Sequence, residues 1–124
     1  LLEELKCNQI KTAVASSSAP KIIELMLKRA EIHHYFSITV SGDDVQQGKP
    51  APDIFLETTK KLNVKPDACI IIEDAYNGVT AANLAGIKCI GYKNKHTAEQ
   101  DLSAATLCID DMTQLTISII RSLF

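Results

Sequence analysis

Short apolar runs alternate along this chain with stretches in which apolar residues recur at helical spacing, and the alternation sets the expected fold. Leu1-Leu2-Glu3-Glu4-Leu5-Lys6 reads as an amphipathic helix reaching about Asn8. It opens with no residue ahead of it to cap the helix and with no Met, so the chain is expected to be a piece of a longer protein. Thr12-Ala13-Val14-Ala15 predicts a strand that stops at Ser16-Ser17-Ser18, and the residues after Pro20, with Ile22, Ile23, Leu25, Met26 and Leu27 among charges, predict a helix. Phe36 to Val40 reads as a second strand, and a polar stretch from Asp43 to Pro52 follows it. Pro52-Asp53 then start a helix whose inner face would be Ile54, Phe55, Thr58 and Leu62.

The second half repeats the alternation. Ala68-Cys69-Ile70-Ile71-Ile72 is apolar throughout, the pattern of a parallel strand covered on both faces. Ala75 to Ala85 predicts a helix closed by Gly86. Strands are expected at Lys88–Tyr92 and Ala105–Ile109, and a terminal helix from Met112 to Phe124. Repeated strand and helix predict a parallel α/β sheet, and 124 residues suit one domain.

Composition narrows the partners. Thirteen Lys+Arg against fifteen Asp+Glu leave a net charge of -2, which argues against nucleic acid or an acidic membrane surface as ligand. No apolar run approaches the roughly 18–20 residues of a membrane span, and no signal-peptide pattern opens the chain. Cys7, Cys69, Cys89 and Cys108 stand singly, with no C-x-x-C, so reduced thiols and a cytoplasmic location are expected. His33 and His34 are adjacent and do not share the i, i+4 face of a helical metal pair; His96 follows Lys93-Asn94-Lys95 in a polar loop.

In a parallel α/β sheet, ligands bind where strands give way to helices, and three polar clusters fall at such places or in the loops between elements. Ser16-Ser17-Ser18 offers hydroxyls and free backbone N–H groups to an anion, or an ordinary helix cap and turn. Lys49, between Gly48 and Pro50, has a restricted backbone that can aim its ammonium inward, or it is a solvated loop lysine. Glu73-Asp74 closes the most apolar strand; adjacent carboxylates repel unless a cation or basic group sits between them, and hard oxygens of this kind suit Mg²⁺. The alternative has Asp74 capping the following helix with Glu73 exposed. Together, a hydroxyl, an ammonium and a carboxylate pair make a set suited to phosphoryl transfer, with no nucleophile evident.

The runs Ala13-Val14-Ala15-Ser16-Ser17-Ser18, Ser41-Gly42-Asp43-Asp44-Val45 leading into Gly48-Lys49-Pro50-Ala51-Pro52-Asp53, and Ile71-Ile72-Glu73-Asp74-Ala75-Tyr76-Asn77-Gly78 resemble the haloacid dehalogenase superfamily, and within it the β-phosphoglucomutase-like phosphatases. The resemblance runs from Leu1 to about Gly91. It implies a Rossmann-like parallel sheet with helices on both faces. It also implies that Ser16, with the Ser17 amide, binds phosphate, that Lys49 stabilises the phosphoryl oxygens and an aspartyl-phosphate, and that Glu73 and Asp74 hold Mg²⁺. The implied substrate is a small phosphorylated metabolite.

Residues 1–124 would then be a partial core domain carrying the family's second, third and fourth motifs. The D-x-D motif of the first strand, which holds the nucleophile, and the cap domain are absent; Asp43-Asp44 and Asp110-Asp111 are adjacent pairs after other elements. That first strand belongs between the Ser-motif strand and the acid-motif strand. The leading function is a Mg²⁺-dependent phosphatase or phosphomutase in the full-length protein; the alternative is a non-catalytic phosphate- or Mg²⁺-binding or interaction module. A response-regulator receiver domain fits less well, because its acidic pair comes early and here the order is Ser, Lys, acids. Loss of a central strand exposes unpaired backbone groups. These 124 residues alone are therefore expected to show no Mg²⁺-dependent phosphatase turnover and no cooperative melt like that of a complete domain, and either observation would contradict the reading.

Overall fold

In the computed structural model, which describes all residues from Leu1 to Phe124, helices and parallel strands follow one another closely. The helices are α1 (Leu2–Cys7), α2 (Pro20–Arg29), α3 (Asp53–Leu62), α4 (Tyr76–Leu84) and α5 (Ile117–Ser122). The strands are β1 (Ala13–Ser16), β2 (Ile38–Ser41), β3 (Ile70–Glu73), β4 (Lys88–Tyr92) and β5 (Leu107–Ile109). No helix is long and apolar enough to cross a membrane.

All strand pairing is parallel, but it falls into two pieces. One holds β1 and β2, with Ser16 opposite Ser41; the other runs β3-β4-β5, with Glu73 opposite Gly91. No ladder joins β1 to β3, so each keeps an unpaired edge.

Helices cover both faces, as the alternation along β4 shows. Cys89 packs into the larger apolar cluster, with Ile54 and Phe55 of α3, Val79, Ala81 and Ala82 of α4, and Val40 of β2. The next residue, Ile90, faces the opposite way, as strand geometry requires, into a smaller cluster with Ile109 and Leu115. Leu1 before α1 and Ile120 of α5 pack against that second cluster. The larger cluster draws on strands from both pieces of the sheet, and it is what joins them.

Several element expectations shift. The terminal helix is broken: Met112–Gln114 is a 3-10 turn capped by Asp111, and α5 starts after Thr116, whose hydroxyl accepts from the Ile119 N–H at 3.2 Å. The polar side chains of Asp111 and Thr116 each satisfy free N–H groups, which starts a new helical segment instead of continuing one. On α3 the buried residues are Ile54, Phe55 and Thr59, with Thr58 and Leu62 only partly covered. The Thr59 hydroxyl is satisfied by donating to the Leu56 carbonyl at 2.9 Å, which lets it turn inward. Gly86, at φ +69°, ends α4 in the left-handed region that favours glycine.

The larger correction concerns β3, which is covered on both faces only in part: Ile71 packs against the larger cluster and Ile70 against the smaller. None of its residues is fully buried, and Ile72 is 43% exposed. It pairs with β4 on one side only, so its other edge is open.

Backbone N–H groups alternate between the two edges of a strand, so an edge strand leaves about half of its amides unpaired. In hydrogen exchange of the 124-residue chain, alternate amides of β1 and β3 should exchange without protection while those of β4, paired on both sides, are retained. Uniform protection along β3 would show that its free edge is closed.

Candidate active site

The carboxyl ends of β1 and β3 open onto a cleft of about 690 Å³. Ser16 and Ser17 line one wall, Glu73 and Asp74 the other, and Lys49 reaches in from the loop that follows β2. All five residues singled out in the sequence thus meet at one place.

Ser16 ends β1, and its Oγ accepts the Ser18 N–H at 3.2 Å, which turns the chain sharply away from the strand. The hydroxyl proton has no acceptor within the chain, and the Ser17 N–H has no partner either. The serine run does not cap α2: Ala19 holds the cap position, without a side-chain hydrogen bond, and Pro20 follows. Two donors are therefore left facing the cleft, which is what an anion needs. The turn is braced from β2. Ser41, only 2% exposed, donates through Oγ to the Ser18 carbonyl at 2.7 Å. The Ser41 N–H donates to Asp44 Oδ2 at 2.8 Å, and Gly42 lies so close that a Cβ there would stand 3.1 Å from the Ser17 carbonyl oxygen.

Lys49 is not a solvated loop lysine. Its ammonium forms an ion pair with Glu73 Oε1 and sits 4.8 Å from the centre of the buried Phe55 ring. The two side chains are 14% and 11% exposed. The basic group required beside Glu73-Asp74 is thus Lys49 itself, brought from a distant part of the chain.

Asp74 does not cap α4 either, because Ala75 occupies that position and its side chain cannot. The Asp74 carboxylate accepts the Asn94 side-chain amide at 2.9 Å through Oδ2, and Oδ1 has no partner within the chain. The first N–H of α4, that of Tyr76, donates to Gln100 Oε1 at 3.1 Å. Asn94 and Gln100 were not picked out in the sequence. Asn94 lies just beyond β4, so extending the strand-exit rule to that strand points to it; Gln100 follows no comparable rule.

The histidines take no part. His33 and His34 belong to an exposed 3-10 turn, and His96 lies in an exposed loop. No group of three or more His, Cys, Asp or Glu side chains converges anywhere in the chain.

All four cysteines are free thiols. Cys89 lies in the core beneath the cleft, and burial, reinforced by the Glu73 charge, pushes its thiol up to about 12. At pH 8 its thiolate fraction is then about one in ten thousand. An alkylating reagent at pH 8 should label exposed Cys7 and Cys108 and leave Cys89 unmodified, as peptide mass mapping would read directly. Rapid Cys89 labelling in the folded chain would contradict the packing described.

Residues 1–92 match the family described as haloacid dehalogenase-like hydrolase. The chain is 40% identical over 87 residues to a phosphorylated carbohydrates phosphatase of Thermotoga maritima, covering 70% of this chain and 40% of that protein. It is 43% identical over 91 residues to a bifunctional riboflavin kinase/FMN phosphatase of Arabidopsis thaliana, covering 73% of this chain and 24% of that one. Among solved structures, a β-phosphoglucomutase from Clostridium difficile superimposes with a TM-score of 0.86 at 34% identity, over 98% of this chain and 52% of that one. The chain thus spans about half or less of the length of each of these proteins.

Proposed function

Since the chain belongs to the haloacid dehalogenase-like hydrolases, in the β-phosphoglucomutase-like group, we propose that it forms the phosphate- and Mg²⁺-binding part of a phosphatase or phosphomutase. The substrate class is a small phosphorylated metabolite, in keeping with relatives named for phosphorylated carbohydrates and for FMN. One observation carries the reading: two unpartnered donors, an ammonium and two adjacent carboxylates line a single cleft.

In this reading the Ser16 hydroxyl and the Ser17 N–H donate to phosphoryl oxygens, and Lys49 offsets the charge that grows on them. Glu73 fixes the Lys49 ammonium so that it need not reorganise when the phosphate arrives. The donor set suits Mg²⁺, which takes one or two protein carboxylates and completes its shell with water and phosphate oxygen. Asp74, with Oδ1 unpartnered and Oδ2 steadied by Asn94, is the better ligand, and Glu73 stands beside it. Bound there, Mg²⁺ would supply Lewis-acid neutralisation of the phosphoryl oxygens.

The nucleophile, an aspartate that would become aspartyl-phosphate, belongs on this reading to a segment outside the 124 residues. The unpaired edges of β1 and β3, on either side of the cleft, support an extended segment lying between them. The four free thiols accord with a cytoplasmic protein.

In the full-length protein, Asp74→Asn should weaken Mg²⁺ binding, measured by calorimetric titration, by about tenfold or more and lower turnover with it. Unchanged affinity and turnover would count against the metal assignment.

A further inference from the structure

Gly78 is buried in the first turn of α4, where glycine weakens a helix relative to alanine. Its φ is not in the left-handed region, so the backbone there does not demand glycine. The side of the residue where a Cβ would stand is filled. A Cβ built on Gly78 would overlap all three atoms of the Glu73 carboxyl group. No other glycine in the chain is so placed: Gly48 and Gly86 have open space, and at Gly42 and Gly91 the nearest atom would be 3.1 Å away.

We propose that Gly78 is a positioning residue of this cleft: its bare Cα is the seat of the Glu73 carboxylate, and through that carboxylate it sets where the Lys49 ammonium stands. The carboxylate lies against the first turn of α4, at the end where the helix dipole favours negative charge. Lys49 holds it from the other side. A methyl group at Gly78 leaves the helix backbone free to form and removes the seat. The flexible Glu73 side chain yields before the helix does, and its ion pair with Lys49 is disturbed. The consequence for binding rests on the function proposed above; the geometry does not.

The test is Gly78→Ala in the full-length protein, read in two ways. A crystal structure should show the Glu73 carboxylate displaced and the Lys49 pair broken, with Tm moved by less than about 3 °C. Mg²⁺ affinity, measured by calorimetry, should fall about tenfold, as for other losses of support around a metal ligand. On a Glu73→Ala background the same Gly78→Ala change should alter that affinity by less than about twofold, because a group acting only through Glu73 has nothing left to act on. If Gly78→Ala alone does not fold, Glu73→Ala should restore folding; failure to do so would assign Gly78 to helix packing and overturn the proposal. An undisplaced carboxylate would overturn it too. A displaced carboxylate with unchanged Mg²⁺ affinity would uphold the seat and instead overturn the metal role given to Glu73.

Discussion

The ion pair between Lys49 and Glu73 spans a division in the fold. Lys49 belongs to the half built on β1 and β2, Glu73 ends the first strand of the other half, and no strand ladder connects the two. It is tempting to treat the pair as the clasp, but its energetics argue otherwise. At 14% and 11% exposure both charges have lost most of their water, and in such pairs the cost of desolvation offsets much of the attraction. The clasp is the larger apolar cluster. Ile54 of α3 alone, 1% exposed, contributes roughly 2–3 kcal/mol by burial, and Val40, Val79, Ala81 and Ala82 complete the contact across the division. The pair therefore does something other than hold the halves together. It gives the cleft a fixed arrangement of charge.

That arrangement explains why Glu73 and Asp74 can be neighbours without strong mutual repulsion. The two carboxylates are satisfied by different chemistry. Glu73 is paired with a cation, whereas Asp74 is oriented by a neutral amide from Asn94. Successive residues at a strand end point apart, which separates the two partners further. The result is one carboxylate held by an internal cation and one with an oxygen that has no partner within the chain, a distinction that adjacency in sequence conceals.

Much of this was legible in the residues and some was not. The apolar run ending at Ile72 marks a strand, because helix and strand periodicities are local properties, and the strand-exit rule together with the family resemblance picks out the five residues that line the cleft. The exact bounds of Lys88–Tyr92 were readable for the same reason, a five-residue run between Gly86 and a polar loop. What periodicity cannot report is pairing. That Lys49 would meet Glu73, or Asn94 would meet Asp74, depends on loops that the sheet brings together over long stretches of sequence. The continuous helix expected from Met112 failed because Asp111 and Thr116 offer local hydrogen bonds that compete with it.

A central parallel strand is apolar on both faces because it is covered on both, and Ile70-Ile71-Ile72 is such a sequence. In this chain it stands at an edge beside an open cleft, and 43% of Ile72 meets solvent. Edge strands in stable proteins carry charges, prolines or bulges that discourage further pairing, and β3 carries none before Glu73. Ala13-Val14-Ala15 of β1 is equally undefended. Two undefended edges thus face one cleft, at the end where Ser16, Lys49 and Asp74 stand. The open edge of β3 bears on stability, because unpaired backbone groups and apolar side chains there meet solvent. The polar cluster at the end of the same strand bears on chemistry, so one strand sets both.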